Sequence, residues 1–143
     1  MKSMIGAIIG DIVGSTYEFN NTRDYYFELF PKGSTFTDDT ICTVAIADAI
    51  LRGIPYKDSL IEWGRRYPEK RSLFGRAFSR WIYEDPTPYN SYGNGAAMRV
   101  SPIGYVHWHG GETDEEAKKS AGCSYVSACV DSIVKKLQSA SIG

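Results

Sequence analysis

Three stretches of the chain carry residue types that could do chemistry. In Gly10-Asp11-Ile12-Val13-Gly14-Ser15-Thr16-Tyr17-Glu18, small residues precede an acid. Glycines let a ligand approach the backbone closely, and Glu18 at the end of such a segment could act as a general base. The spacing equally describes a glycine-rich helix packed on a neighbour, with Glu18 in solvent. Thr37-Asp38-Asp39 places a hydroxyl beside two carboxylates, the hard oxygen donors that Mg²⁺ takes together with water. The same residues also make an N-cap followed by acids that complement a helix dipole. Ser91-Tyr92-Gly93-Asn94-Gly95-Ala96-Ala97-Met98-Arg99 runs small residues into a helix start, where free backbone N–H groups can hold an anion. No Lys-Ser/Thr pair follows, so this is not a P-loop, and an ordinary loop-to-helix junction reads the same way.

Other chemistries find little support. His107 and His109 are the two histidines, and the cysteines Cys42, Cys123 and Cys129 form no CxxC pair, so a zinc site is not expected. No GxSxG nucleophile elbow occurs. A net charge of -1 gives no basic excess for binding nucleic acid, and Arg65, Arg66, Lys70, Arg71, Arg76 and Arg80 read as a solvated helical surface. No apolar run approaches the ~20 residues of a membrane span. Met1-Lys2-Ser3-Met4 opens a poor signal peptide, so the expectation is a cytoplasmic protein with reduced thiols.

The elements that must position these residues are helical. Ile5, Ile8, Ile9 and Ile12 recur on one helical face, with Gly6, Gly10 and Gly14 on another, where close packing or a ligand would offset their cost. Asn20 to Phe36 has no period and reads as a long, partly packed loop. Thr37 then caps a helix with Ile41, Val44, Ala45 and Ala49 inward, ended by Gly53 and Pro55. Further helices are predicted over Tyr56–Tyr67, ended by Pro68, and over Leu73–Tyr83. A short piece at Ala96–Val100 is stopped by Pro102, and a helix after the capping box at Thr113–Glu116 ends at Gly122. Val126, Cys129, Val130, Ile133, Val134 and Leu137 give an amphipathic tail helix. Strand-type alternation is almost absent, so the fold class is all-α, in one domain of 143 residues.

Taken together and in this order, the three stretches resemble the ADP-ribosylglycohydrolase family, which includes the dinitrogenase reductase-activating glycohydrolases. The resemblance runs from Met1 to about Gly122. It implies an all-α fold, a binuclear Mg²⁺ or Mn²⁺ centre, and cleavage of the bond between ADP-ribose and a modified side chain or a related ADP-ribosyl compound. By the same resemblance, Thr37, Asp38 and Asp39 are expected as metal ligands and Glu18 as the carboxylate near the scissile centre. Gly93, Asn94, Gly95, Ala96 and Met98, with Ser91 and Tyr92 beside them, are expected to receive the phosphates and distal ribose.

The chain also departs from that family. A later Gly-Asp-x-Asp-Thr motif, which the resemblance assigns to the remaining metal ligands, does not occur, and neither does the His-rich stretch expected near Cys123. The expectation is therefore a truncated family domain over 1–143 with a divergent tail helix from 123, holding its cation weakly or not at all. Asp131 is no substitute for the lost ligands. The alternative is a non-catalytic binding protein on a reduced enzyme fold, a pseudoenzyme. It would hold ADP-ribose or a nucleotide, or inhibit a protein partner such as a host-defence complex. On either reading, a protein partner or a second copy is expected to cover apolar surface, with no role for membrane.

Overall fold

The structure, a computed structural model, describes residues 2–89, 91, 93–106 and 112–124. Among them lie seven α-helices and no strand: α1 (Lys2–Gly14), α2 (Asp38–Arg52), α3 (Tyr56–Arg66), α4 (Arg76–Tyr83), α5 (Gly95–Met98), α6 (Ser101–Val106) and α7 (Glu112–Gly122). The all-α expectation holds. No helix among the described residues is long and apolar enough to cross a membrane. The amphipathic tail predicted from Val126 to Leu137, and His107 and His109, lie outside the described residues.

α2 is the element on which the others pack. Ile41, Cys42, Ala45 and Ile46 are buried in one core with Leu60 of α3, with Phe74 just before α4, with Trp81 and Ile82 of α4, and with Ile103 of α6. Thr37 caps the start of α2, its hydroxyl accepting from Asp39 N at 3.3 Å. Gly53 closes the other end at φ 63°, a left-handed conformation that favours glycine, and its N–H reaches Ala49 O. The short connection after Gly53 returns α3 along α2, the most extensive helix pair. Ser59 Oγ donates to Ala45 O at 2.7 Å, and Trp63 Nε1 donates to Asp48 Oδ2 at 3.0 Å. Phe78 stacks on Trp81 with ring centroids 5.4 Å apart, which fixes α4 over the core.

Several boundaries differ from the sequence reading. α4 begins at Arg76 rather than Leu73, because Pro68–Leu73 forms a separate 3₁₀ turn. Pro102 does not stop α5; it lies in the first turn of α6, where its missing N–H costs nothing. Helix α7 already includes Thr113 and ends at Gly122 as expected. Lys70, read as a solvated cation, is tied down: Nζ donates to Thr35 Oγ1 and Phe36 O and sits 4.5 Å from the centroid of the Phe36 ring. The isoleucine stripe of α1 does form a helix, but Ile5 and Ile9 remain 59% and 47% exposed. Among the described residues, a Cβ placed on Gly6, Gly10 or Gly14 would meet nothing within 4 Å, so close packing there does not explain these glycines.

Gly64 is the opposite case. A Cβ there would stand 2.8 Å from Ile82 Cδ1 and 3.1 Å from its Cγ2, and Ile82 is fully buried. Gly64→Ala is expected to destabilise the fold by about 1–3 kcal/mol through overpacking, despite the better helix propensity of Ala. Gly6→Ala, with open space around it, is expected to stabilise by up to about 1 kcal/mol. Urea unfolding midpoints of the two variants should move in opposite directions.

Candidate active site

The site is assembled where the end of α1 meets the start of α2. Beyond Gly14 the chain turns sharply: Ser15 N and Tyr17 N donate to Asp11 O and Gly14 O at 2.9 and 2.8 Å. Ser15 Oγ donates to Ile12 O and accepts from Thr35 N, stitching the turn to the loop that leads into α2. Tyr17 fixes it from the other side, its hydroxyl donating to Glu28 O at 2.7 Å and its ring meeting Phe27 edge-on. This turn carries Glu18 outward as an exposed carboxylate.

The residue that joins the two helices is Asp11. Its Oδ2 accepts from Thr37 N at 2.8 Å and Thr40 N at 3.2 Å, and its two oxygens also accept the hydroxyls of Thr37 and Thr40. A carboxylate at a helix N-terminus satisfies N–H groups that have no partner within the helix and complements the dipole. Sequence reasoning placed Asp11 within the first motif but gave it no role. Its partners lie 26 and 29 positions away, and no local spacing rule reaches that far.

Asp38 and Asp39 begin α2, as expected, and both lie within the field of Glu18. Burial, then the charge of Asp39, and then those of Glu18 and Asp11, push the Asp38 carboxyl up to about 7. Burial, followed by Asp11 and Glu18, raises Asp39 as well. A cleft that collects negative charge in this way favours a cation.

Asp38 also borders a cavity of about 320 Å³ whose other walls include Ser91, Gly93, Asn94, Gly95 and Met98. The first of the expected metal-binding acids and most of the expected substrate wall therefore share one hollow. Ala96 is buried and does not line it, and Tyr92 lies outside the described residues. Thr43 Oγ1 donates to Met98 O at 3.3 Å, fastening α5 to α2. A larger hollow of about 580 Å³ between the end of α2 and α7 contains none of the expected site residues.

The donor set suits one hard cation in part. Asp38 and Asp39 offer carboxylate oxygens, whereas the Thr37 hydroxyl already donates to Asp11 and accepts from Asp39 N. Among the described residues no group of three or more His, Cys, Asp or Glu is arranged to hold a metal ion. An ion here would complete its shell with water.

A helical domain with a carboxylate cleft opening onto a small-residue loop is the class this geometry defines. The ADP-ribosylglycohydrolase family model matches residues 1–132, beyond the stretch carried by the three motifs, and the chain belongs to that family. Comparison with curated proteins and with solved structures returned no match.

Asp11→Ala is expected to cost about 2 kcal/mol, since it leaves the donors at the start of α2 unpaired; a denaturant titration measures it. The carboxylates also set a pH dependence. Folded Asp38 keeps its proton up to about pH 7, against 3.8 for its ordinary value. The folded state thus binds more protons across that window, and the stability this confers is complete below the lower value and lost as pH rises through the upper one. In cation-free buffer the urea midpoint should fall from pH 5 to pH 8, and Asp38→Asn should flatten that fall.

Proposed function

We propose that this chain hydrolyses an ADP-ribosyl linkage with Mg²⁺ or Mn²⁺ at the cleft between Glu18 and the start of α2. The observation that supports it best is the crowding of Asp39 and Glu18 around Asp38, which borders the cavity walled by Ser91, Gly93, Asn94, Gly95 and Met98. Asp38 and Asp39 would hold the cation, and the Thr37 hydroxyl, already bonded to Asp11 and Asp39 N, could add only its remaining lone pair. When bound, a divalent ion supplies orientation and polarisation of ribose hydroxyls. The chain's own residues do the rest. Glu18, exposed to solvent on its turn, takes a proton from the attacking water. The Gly93–Gly95 segment, having no side chain at either end, lets the substrate lie against backbone. Asp11 keeps the start of α2, and so both aspartates, in register with the turn that bears Glu18.

A second reading has its own observation. Ile5, Ile9, Phe19, Tyr25, Tyr26, Leu29 and Phe30 are exposed on α1 and the loop after it, and apolar surface of this kind marks binding faces. On this reading the domain binds ADP-ribose or a protein without turnover.

The deciding measurement is release of free ADP-ribose from an ADP-ribosylated protein, with Mn²⁺, with Mg²⁺ and with chelator. Metal-dependent release is expected, with Glu18→Gln reducing the rate by about 10²-fold or more. No release with either ion, from a chain that ADP-ribose still stabilises against heat, would establish the binding reading instead.

A further inference from the structure

The wall of the cavity is one stretch of chain, residues 89–99, and both of its ends are held by Ser124. At its start, Tyr89 N donates to Ser124 O at 3.3 Å. At its end, Arg99 Nη2 donates to Ser124 Oγ at 3.0 Å. Ser124 follows α7, is 0% exposed and itself borders the cavity. Its own N–H donates to Ala121 O at 3.1 Å, which fixes it to the end of that helix. The chain therefore leaves Ser124 at Tyr89 and returns to it at Arg99, and between those points it presents Ser91, Gly93, Asn94, Gly95 and Met98 to the cavity. The glycines leave the backbone between the two ends wide conformational freedom, and pinning both ends removes much of it.

The hold on Arg99 is the more demanding of the two. The guanidinium is 0% exposed, and Nη2 also donates to Ser120 O at 3.0 Å, whereas Nε and Nη1 have no partner among the described residues. A guanidinium stays charged when buried, so removing one of its few acceptors costs more than removing the acceptor of a neutral donor. The two serines at the end of α7 differ in one respect. Ser120 offers Arg99 only its carbonyl, and its own hydroxyl is buried without a partner, whereas the Ser124 hydroxyl carries a bond to the wall. We propose that Ser124 is a positioning residue: by holding Tyr89 through its carbonyl and Arg99 through its hydroxyl, it sets the shape of the wall against which the ADP-ribosyl group lies. This rests on the reading of the cavity as an ADP-ribosyl site and adds to it the residue that keeps that wall in place.

The test compares Ser124→Ala with Ser120→Ala in the full chain. Each deletes one buried hydroxyl from the end of α7, and only the first deletes a bond to the wall. Amide hydrogen exchange is read at Tyr89, at Ala97 and Met98, which donate to Asn94 O, and along α3. Ser124→Ala is expected to speed exchange at Tyr89, Ala97 and Met98 by about tenfold or more and to leave α3 as it was. Ser120→Ala should speed none of them. With Mn²⁺ and an ADP-ribosylated protein, Ser124→Ala is expected to raise KM by about tenfold while kcat changes far less, and Ser120→Ala to change neither. Equal acceleration by the two variants, acceleration that spreads equally to α3, or an unchanged KM in Ser124→Ala overturns the proposal. Should Ser124→Ala fail to fold, the unaltered chain decides: protection of the Tyr89 amide as strong as that of Ala97 supports the hold, and exchange at the rate of a free peptide overturns it. If the unaltered chain releases no ADP-ribose, the proposed activity falls by itself, and the exchange comparison still decides the role of Ser124.

Discussion

The carboxylate of Asp11 is the constraint on which the site depends. It sits in the last turns of α1 and takes two backbone N–H groups and two hydroxyls from the first turn of α2. The start of a helix leaves several N–H groups without partners, and here a residue from another helix satisfies two of them. That bond set does what packing does not. α1 contributes little to the core, and its isoleucines at positions 5 and 9 stay exposed. What holds its C-terminal end against the domain is polar and directional, and directional bonds set the distance between the turn bearing Glu18 and the aspartates of α2.

The cost of that arrangement is electrostatic. Asp38 and Asp39 are partly withdrawn from water and face further negative charge from Glu18 and Asp11. Stability alone would place a lysine there or leave the acids in solvent. A fold that gathers carboxylates beside a cavity at a cost to its stability shows the pattern common at functional sites.

Much of this was legible in the residues. The N-cap at Thr37, the glycine that ends α2, the long loop between Asn20 and Phe36 and the all-helical class follow from local rules that act over one or two turns. The family was legible as well, because its three motifs are contiguous in sequence. The misreadings have a common cause. Leu73 and Pro102 read as a helix start and a helix stop from their neighbours alone, whereas the 3₁₀ turn at Pro68–Leu73 and the start of α6 depend on how those segments meet the core. The stripe on α1 has the period of a buried face, but periodicity reports that a face exists and not what covers it.

By itself, then, the sequence determined which segments are helices and which residue types stand ready for chemistry, since propensity, capping and glycine conformations are short-range properties. Only the tertiary structure decided which of those residues meet. Asp11 finds its partners 26 and 29 positions onward, and Asp38 comes to share a cavity with Ser91 and Gly95. Arg99 ends up walled in with two donors unused. Each of these is a contact between distant parts of the chain, set by how whole helices pack around α2, and neither composition nor spacing carries that information.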